Sequence, residues 1–262
     1  MGALARGGEN APVTSPDVPL DGGNSASFVV RSGDTVRKPW TASSSSVHRL
    51  LAHLRDQVGD VVPRPLGRDD RGRQVLEFVP GSDGMAATPT APDLERVGAI
   101  ARSLHEATAS FPRRDTDVWT TATRRAGDEI ISHGDLAPWN LVRGRERWAF
   151  IDWDGAGPTT RIADLAYAAR SFARADHLHP VEESVLLLRA VLDGYGASSQ
   201  ERVDLVPAMI ERTEAMRDLL LGAVATGEQP WARMAVAGHG DYWTRAAAHL
   251  HRHGAVLGTA VR

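Results

Sequence analysis

The sequence predicts an α+β fold with two lobes, a small antiparallel-sheet lobe carrying one helix and a larger, mostly helical lobe. Three observations predict it. Short runs of β-branched and aromatic residues separated by Gly/Asp turns crowd the region before residue 80. One helical stripe, Val47, Leu50, Leu51, Leu54 and Val58, interrupts them with i, i+3, i+4, i+7 spacing. Long segments striped with Leu, Val, Ala and Met fill the second half. Strands followed by helices give an α+β architecture, and the cleft between two such lobes is the natural place for a ligand.

The elements follow in order. Residues 1–20, MGALARGGENAPVTSPDVPL, have no apolar signal core and are rich in Gly, Pro, Ser and Asn, which reads as a disordered tail. The sheet lobe spans 21–80. It opens with Asp21-Gly22-Gly23-Asn24-Ser25, a tight turn whose exposed N–H groups suit phosphate, although such a sequence is also an ordinary turn. Ser27–Arg31 and Thr35–Lys38 form a hairpin across Ser32-Gly33-Asp34. Ser43–Ser46 supply helix caps for the striped helix, which Pro63 and Pro65 terminate. A strand around Leu66, a polar turn at Asp69-Asp70-Arg71-Gly72 and a strand at Gln74–Val79 follow.

Pro80-Gly81 and Asp83-Gly84 mark the passage to the second lobe, 81–262. Pro92–Ser110 reads as a helix with Val97, Ile100, Ala101 and Leu104 on one face. Ile130–Ser132 leads into a loop. Residues 161–175, 180–195, 200–225 and 230–252 read as four further helices whose apolar stripes are core. No internal repeat is visible.

Composition narrows the function. The chain has 262 residues, 42% of them hydrophobic and 24% charged, which is ordinary for a globular protein. A net charge of −3 calls for neither nucleic acid nor an anionic membrane as partner. The absence of cysteine excludes disulfides, thiolate metal sites and cysteine catalysis. No apolar run reaches the roughly 18–20 residues of a membrane-spanning helix. The expectation is a cytoplasmic monomer or homodimer. Lys38 is the only lysine, which reads as genomic base composition.

The chemistry lies in His133-Gly134-Asp135-Leu136-Ala137-Pro138-Trp139-Asn140, followed by the apolar run Trp148-Ala149-Phe150-Ile151 and then Asp152-Trp153-Asp154. A loop bearing an acid and an amide, a strand, and a second acid form the set that phosphoryl transfer needs. Asp135 leads the loop and is the expected base. Asn140 and Asp152 are hard oxygen donors for Mg²⁺, with nucleotide phosphates and water completing its coordination. Asp135 and Asn140 are five apart, the spacing of the protein-kinase catalytic loop. His133 braces the loop or takes part in catalysis. Asp154 is either a second metal neighbour or a turn residue. Trp139 and Trp153 flank the acids as substrate-stacking or cleft-wall residues.

HGDLAPWNL followed by FIDWDGAGPTTRIADLAYA resembles the aminoglycoside phosphotransferase-like kinases, the group that includes choline and homoserine kinase relatives. LDGGNSASFVV, VRKP and VLEFVPG extend the resemblance at lower specificity to residues 20–255. The resemblance implies a protein-kinase-like fold and an Mg²⁺-dependent transfer of the γ-phosphate of ATP or GTP to a hydroxyl of a small molecule. Antibiotic resistance is one expected role. It makes Asp135 the base, Asn140 and Asp152 the metal ligands, and Asp164 a structural acid supporting the loop. It also places the adenine-binding hinge at Phe78 and Val79.

Two features depart from the family pattern. The basic residue that grips the α/β-phosphates is Arg37 or Lys38. Spacing to Pro39 favours Arg37, yet successive strand residues face opposite ways and only one can enter the cleft. The helix that should orient it contains no Glu, and His48 and Asp56 are its obvious polar residues. That absence motivates a second expectation, a binding or immunity-type protein on a kinase scaffold. A nucleotide-sugar transferase using Asp152-Trp153-Asp154 is a third reading, but it leaves His133–Asn140 unexplained. A polycationic acceptor would want an acidic wall, for which Glu211, Glu214, Asp218 and Glu228 are available. The histidines at 249, 251 and 253 read as a basic helix end rather than a metal site.

Overall fold

The computed structural model describes residues 16–20, 28–125 and 127–262. The N-terminal region is built on strands β1 (Val18–Pro19), β2 (Val30–Ser32) and β3 (Thr35–Lys38), helix α1 (Ser44–Val58), and strands β4 (Pro65–Arg68) and β5 (Gln74–Glu77). Among the described residues these strands form one antiparallel sheet in the order β1-β2-β3-β5-β4. The β2–β3 hairpin closes through Gly33 at φ 60°, a backbone conformation that glycine adopts without a Cβ clash. Helix α1 buries Val47, Leu50, Leu51 and Leu54, the stripe read from the sequence.

Val18–Pro19 corrects the expectation of a disordered tail up to residue 20. The pair adds an edge strand beside β2, and Asp17 binds Arg73 Nη1 at 2.6 Å. Proline is tolerated there because an edge strand leaves one side of its backbone unpaired.

The chain continues through β6 (Ser82–Asp83), α2 (Ala91–Ala109), β7 (Ile130–Ser132), β8 (Leu141–Arg143), β9 (Trp148–Phe150), β10 (Gly157–Thr159), α3 (Arg161–Phe172), α4 (Val181–Tyr195) and α5 (Ser199–Thr226). It ends with a short α6 (Trp231–Met234), a π-turn over Ala235–His239 and α7 (Gly240–Val261). The single helix expected over 230–252 is therefore broken. Gly238 stands at φ 104° inside the turn, which no right-handed helix accommodates. Two small sheets, β6-β8-β9 and β7-β10, are inserted among the helices, and their ends carry the loops of interest.

One continuous apolar core joins the two regions. It runs from Leu50 and Leu54 of α1 through Leu94, Val97 and Leu104 of α2 to Phe150, Leu165, Leu188 and Met209. The sheet is thus set against the helices by burial rather than by a flexible link. Asp93, Thr90 and Ser198 form capping boxes or parts of them at α2 and α5, satisfying amides that the first helical turn leaves free.

Helices α2 and α4 approach most closely at Gly98 and Gly194. A Cβ at Gly98 would run into the Val191 carbonyl, and one at Gly194 into the Glu95 backbone. Gly98→Ala and Gly194→Ala are each expected to cost about 1–3 kcal/mol through overpacking. Gly222→Ala, exposed with open space at its Cβ, should instead gain up to about 1 kcal/mol from helix propensity. Urea unfolding of the three variants checks this, and equal effects at the three glycines would remove the close-packing account.

Candidate active site

Strand β7, wholly buried, delivers the chain to His133. The next residue, Gly134, turns at φ 81°. Its amide donates to Asp164 Oδ1 at 3.0 Å, and the guanidinium of Arg125 lies where a Cβ would be. Asp164 Oδ2 accepts from His105 Nε2 at 3.0 Å, and the other nitrogen of that ring lies 2.9 Å from the Tyr195 hydroxyl. Burial alone would raise the pKa of Asp164. The imidazole of His105, with Arg125 and His133 nearby, outweighs burial and holds it at about 2.

Both His133 nitrogens are engaged by backbone. Nε2 donates to the Ile151 carbonyl at 2.9 Å and Nδ1 accepts from the Asp135 amide at 3.2 Å. The ring packs on Trp153, which is itself buried with its indole N–H on the Phe150 carbonyl. His133 therefore ties the loop to the strand that precedes Asp152.

Asp135 presents a carboxylate crowded with donors. Oδ2 accepts from Asn140 Nδ2 at 2.8 Å and from Trp139 Nε1 at 3.0 Å. The Tyr167 hydroxyl also bonds this side chain, and burial followed by the Asp135 charge raises the tyrosine pKa well above its usual value. Asn140 Nδ2 reaches the Asp135 carbonyl as well, at 2.9 Å. Its carbonyl accepts the Ile151 amide at 2.9 Å, so the loop and the approach to Asp152 are stitched together.

Asp152 stands in the left-handed region at φ 61°, ψ 63°. A non-glycine residue there costs of order 1–3 kcal/mol and persists only where surrounding contacts hold it. Here the contact is Lys38, whose Nζ lies 3.0 Å from Asp152 Oδ1 and 2.8 Å from Asp154 Oδ2. Burial would lower the pKa of Lys38, but the two carboxylates outweigh it and raise it. The ammonium in turn lowers the pKa of Asp152.

Arg37, its neighbour on β3, points elsewhere, with Nη1 3.7 Å from Asp69 Oδ2. Strand alternation thus separates the two basic residues: Lys38 meets the acids and Arg37 does not. Asp154 is neither isolated nor merely a turn residue. Phe78 carries the Arg31 guanidinium over its ring at 3.8 Å, and its amide donates to the Asp34 carbonyl. Val79 is buried with Val142 and Ala149, against the partly buried Ile151. Gly22, Gly23 and Asn24 lie outside the described residues.

The donor set suits Mg²⁺. Asn140 and Asp152 offer an amide oxygen and a carboxylate, and Asn140 Oδ1 meets no donor among the described residues. Among the described residues no group of three His, Cys, Asp or Glu side chains is placed to hold a metal ion. A cation here would take its remaining ligands from phosphate and water, as Mg²⁺ commonly does.

Beyond Asp135 the surroundings are aromatic and cationic. Tyr167 stacks on Trp243 at 6.2 Å and 14°. Arg212 lies 5.0 Å from the Tyr167 ring and Arg170 4.4 Å from the Trp243 ring. Burial, then repulsion from Arg212, lowers the pKa of Arg125 to about 10. The acids expected as a wall for a polycation are committed or peripheral. Glu214 pairs with Arg217 and His251, Asp218 pairs with Arg217, and Glu211 and Glu228 are exposed. Sequence reading missed Arg125, Tyr167, Arg170 and Arg212, since nothing distinguishes one arginine from another in an arginine-rich chain.

Comparison with known proteins places the chain in a family and a fold. The profile of the phosphotransferase enzyme family matches residues 116–206. The trifolitoxin immunity protein of Rhizobium leguminosarum bv. trifolii is 31% identical over 210 residues, covering 74% of this chain and 79% of that protein. A choline/ethanolamine kinase family protein from Mesorhizobium loti superposes with a TM-score of 0.62 at 19% identity, over 96% and 94% of the two chains. Amicoumacin kinase superposes at 0.66 with 13% identity over 88% of each chain. Spectinomycin phosphotransferase does so at 0.62 with 12% identity over 90% and 92%.

Asp164 makes the acid stability of the loop predictable. Its pKa is depressed on folding, from 3.8 to about 2. Its contribution, about 2 kcal/mol, is therefore complete above pH 4 and is lost as pH falls from about 4 towards 2. Asp164→Asn should flatten the pH dependence of urea unfolding in that window. An unchanged slope would show that the carboxylate does not depend on the fold.

Proposed function

We propose that this chain, which belongs to the phosphotransferase enzyme family and has its protein-kinase-like fold, transfers the γ-phosphate of ATP or GTP to a hydroxyl of a small molecule. The observation that carries the reading is the meeting of the Asp135–Asn140 loop and Asp152 in one hydrogen-bonded unit, with Lys38 closing it from the sheet. Asp135 is the base. The acceptor oxygen attacks the γ-phosphorus, the bond to the β–γ bridging oxygen breaks, the nucleoside diphosphate leaves, and the acceptor proton passes to the Asp135 carboxylate.

Asn140 and Asp152 would hold Mg²⁺, which would supply charge neutralisation on the triphosphate. Lys38, rather than Arg37, is assigned to the phosphates, because it is the basic side chain of β3 that meets Asp152. Phe78 and Val79 border the adenine region. His133 holds the loop in place, since neither of its nitrogens is free to move a proton. The aromatic and arginine surroundings of Asp135 favour a neutral or anionic acceptor over a polycation, because like charges brought together in a low-dielectric cleft repel strongly.

The likeness to an immunity protein supports a second reading, in which the scaffold binds a toxic compound without modifying it. One experiment decides between them. ADP release and product mass are followed while antibiotics, peptides and metabolites are screened as acceptors. Asp135→Asn is expected to lower kcat at least about 100-fold while leaving the affinity for Mg²⁺-nucleotide within about threefold, since the substitution keeps the shape of the side chain. Turnover retained in that variant would remove Asp135 as the base. Protection of cells by Asp135→Asn equal to that by the wild type would favour binding alone.

A further inference from the structure

The lysine that grips the α/β-phosphates in kinases is oriented by a Glu on the helix that follows. Helix α1 holds none: its sequence is SSSVHRLLAHLRDQV, and Asp56 is exposed. Yet Lys38 is buried and doubly paired. Of its two partners, Asp152 is the acid assigned to Mg²⁺, and a carboxylate ligating a cation is a poor permanent partner for an ammonium. Asp154 has no such competing duty.

Its surroundings continue back to the helix. Gln74, directly opposite Lys38 across β3 and β5 and fully buried, donates through Nε2 to the Pro39 carbonyl at 3.2 Å and, more distantly, to Asp154 Oδ1 at 3.5 Å. Gln74 Oε1 meets His48 Nε2 of α1 at 3.3 Å. A Gln–His pair therefore fills the space between the helix and the lysine, and the negative charge has moved to the short turn Trp153–Gly155.

We propose that Asp154 is the positioning residue for Lys38, taking over from the large-lobe side the task that a helix Glu performs in other kinases. When nucleotide and cation occupy the cleft, Asp152 turns from Lys38 to the cation and Asp154 keeps the ammonium aimed at the phosphates. The inference rests on the kinase reading above. It also accounts for a lysine at 38 in a chain whose other long basic side chains are all arginines. A compact ammonium fits between two carboxylates, whereas the planar guanidinium fork does not substitute for it.

A double-mutant cycle tests this. The affinity for a nonhydrolysable ATP analogue at saturating Mg²⁺ is measured for the wild type, Asp154→Asn, Lys38→Gln and the double variant. Each single substitution is expected to weaken binding about tenfold, and the double variant no further than Lys38→Gln alone, because residues that act as a unit are not additive. Additive losses would overturn the proposal, and so would a loss in Asp154→Asn that deepens as Mg²⁺ is lowered while that of Lys38→Gln does not, which would make Asp154 a metal neighbour.

A second measurement reads the lysine itself. Protein labelled with ¹⁵N-lysine gives one side-chain signal, and in the complex with Mg²⁺ and the analogue, where Asp152 has turned to the cation, the ammonium should exchange slowly in the wild type and faster in Asp154→Asn. An unaltered signal also overturns the proposal. A wild type that binds no nucleotide would instead remove the kinase reading itself, and this inference with it. Binding with additive losses would leave that reading standing.

Discussion

A single ammonium between two carboxylates is the contact on which the arrangement depends. Lys38 comes from the sheet; Asp152 and Asp154 come from the loop beyond β9. The pair of acids has left water only in part, while the lysine is buried, so neither side is cheap to leave alone. Removing one member of a buried ion pair strands the other charge, which is far more costly than the pair's net worth. The contact thereby ties the sheet to the turn after β9, whose first residue, Asp152, stands in a left-handed backbone.

A second support lies behind the loop. Asp164, at the start of α3, receives the Gly134 amide and His105, and Arg125 closes the gap where Gly134 has no side chain. His133 fastens the front of the same loop to Ile151. Asp135 is left with its geometry set by neighbours on several elements. A side chain held in this way is preorganised, its rotamer locked by neighbours before any ligand arrives. The free energy for that locking comes from the continuous apolar core, which joins α1 of the sheet region to α2, α3 and α4.

The two functional readings share this scaffold and differ only in what happens next to Asp135. The chain is similar in sequence to an immunity protein and in fold to a choline/ethanolamine kinase family protein and to amicoumacin kinase. Near Asp135 stands the alternating run Arg212, Tyr167, Trp243 and Arg170, in which each ring is faced by a guanidinium. Such a wall has a positive potential and a flat apolar surface together.

Local sequence determined much of this protein by itself. The α1 stripe, the β2–β3 hairpin, the helices near 92–110 and 181–195, and the ordered set Asp135, Asn140 and Asp152 all follow from periodicity, turn residues and short-range spacing. These are local properties, set by backbone sterics and by which face a residue presents. Tertiary structure decided what spacing cannot express. It broke the last helix at Gly238, added Val18–Pro19 as an edge strand, and chose Lys38 over Arg37 for the acids, because only one face of β3 meets the loop. It also moved the lysine's partner from the helix to Asp154, more than a hundred residues away along the chain. Long-range pairing of charges depends on where burial brings distant segments together, and no window of sequence contains that information.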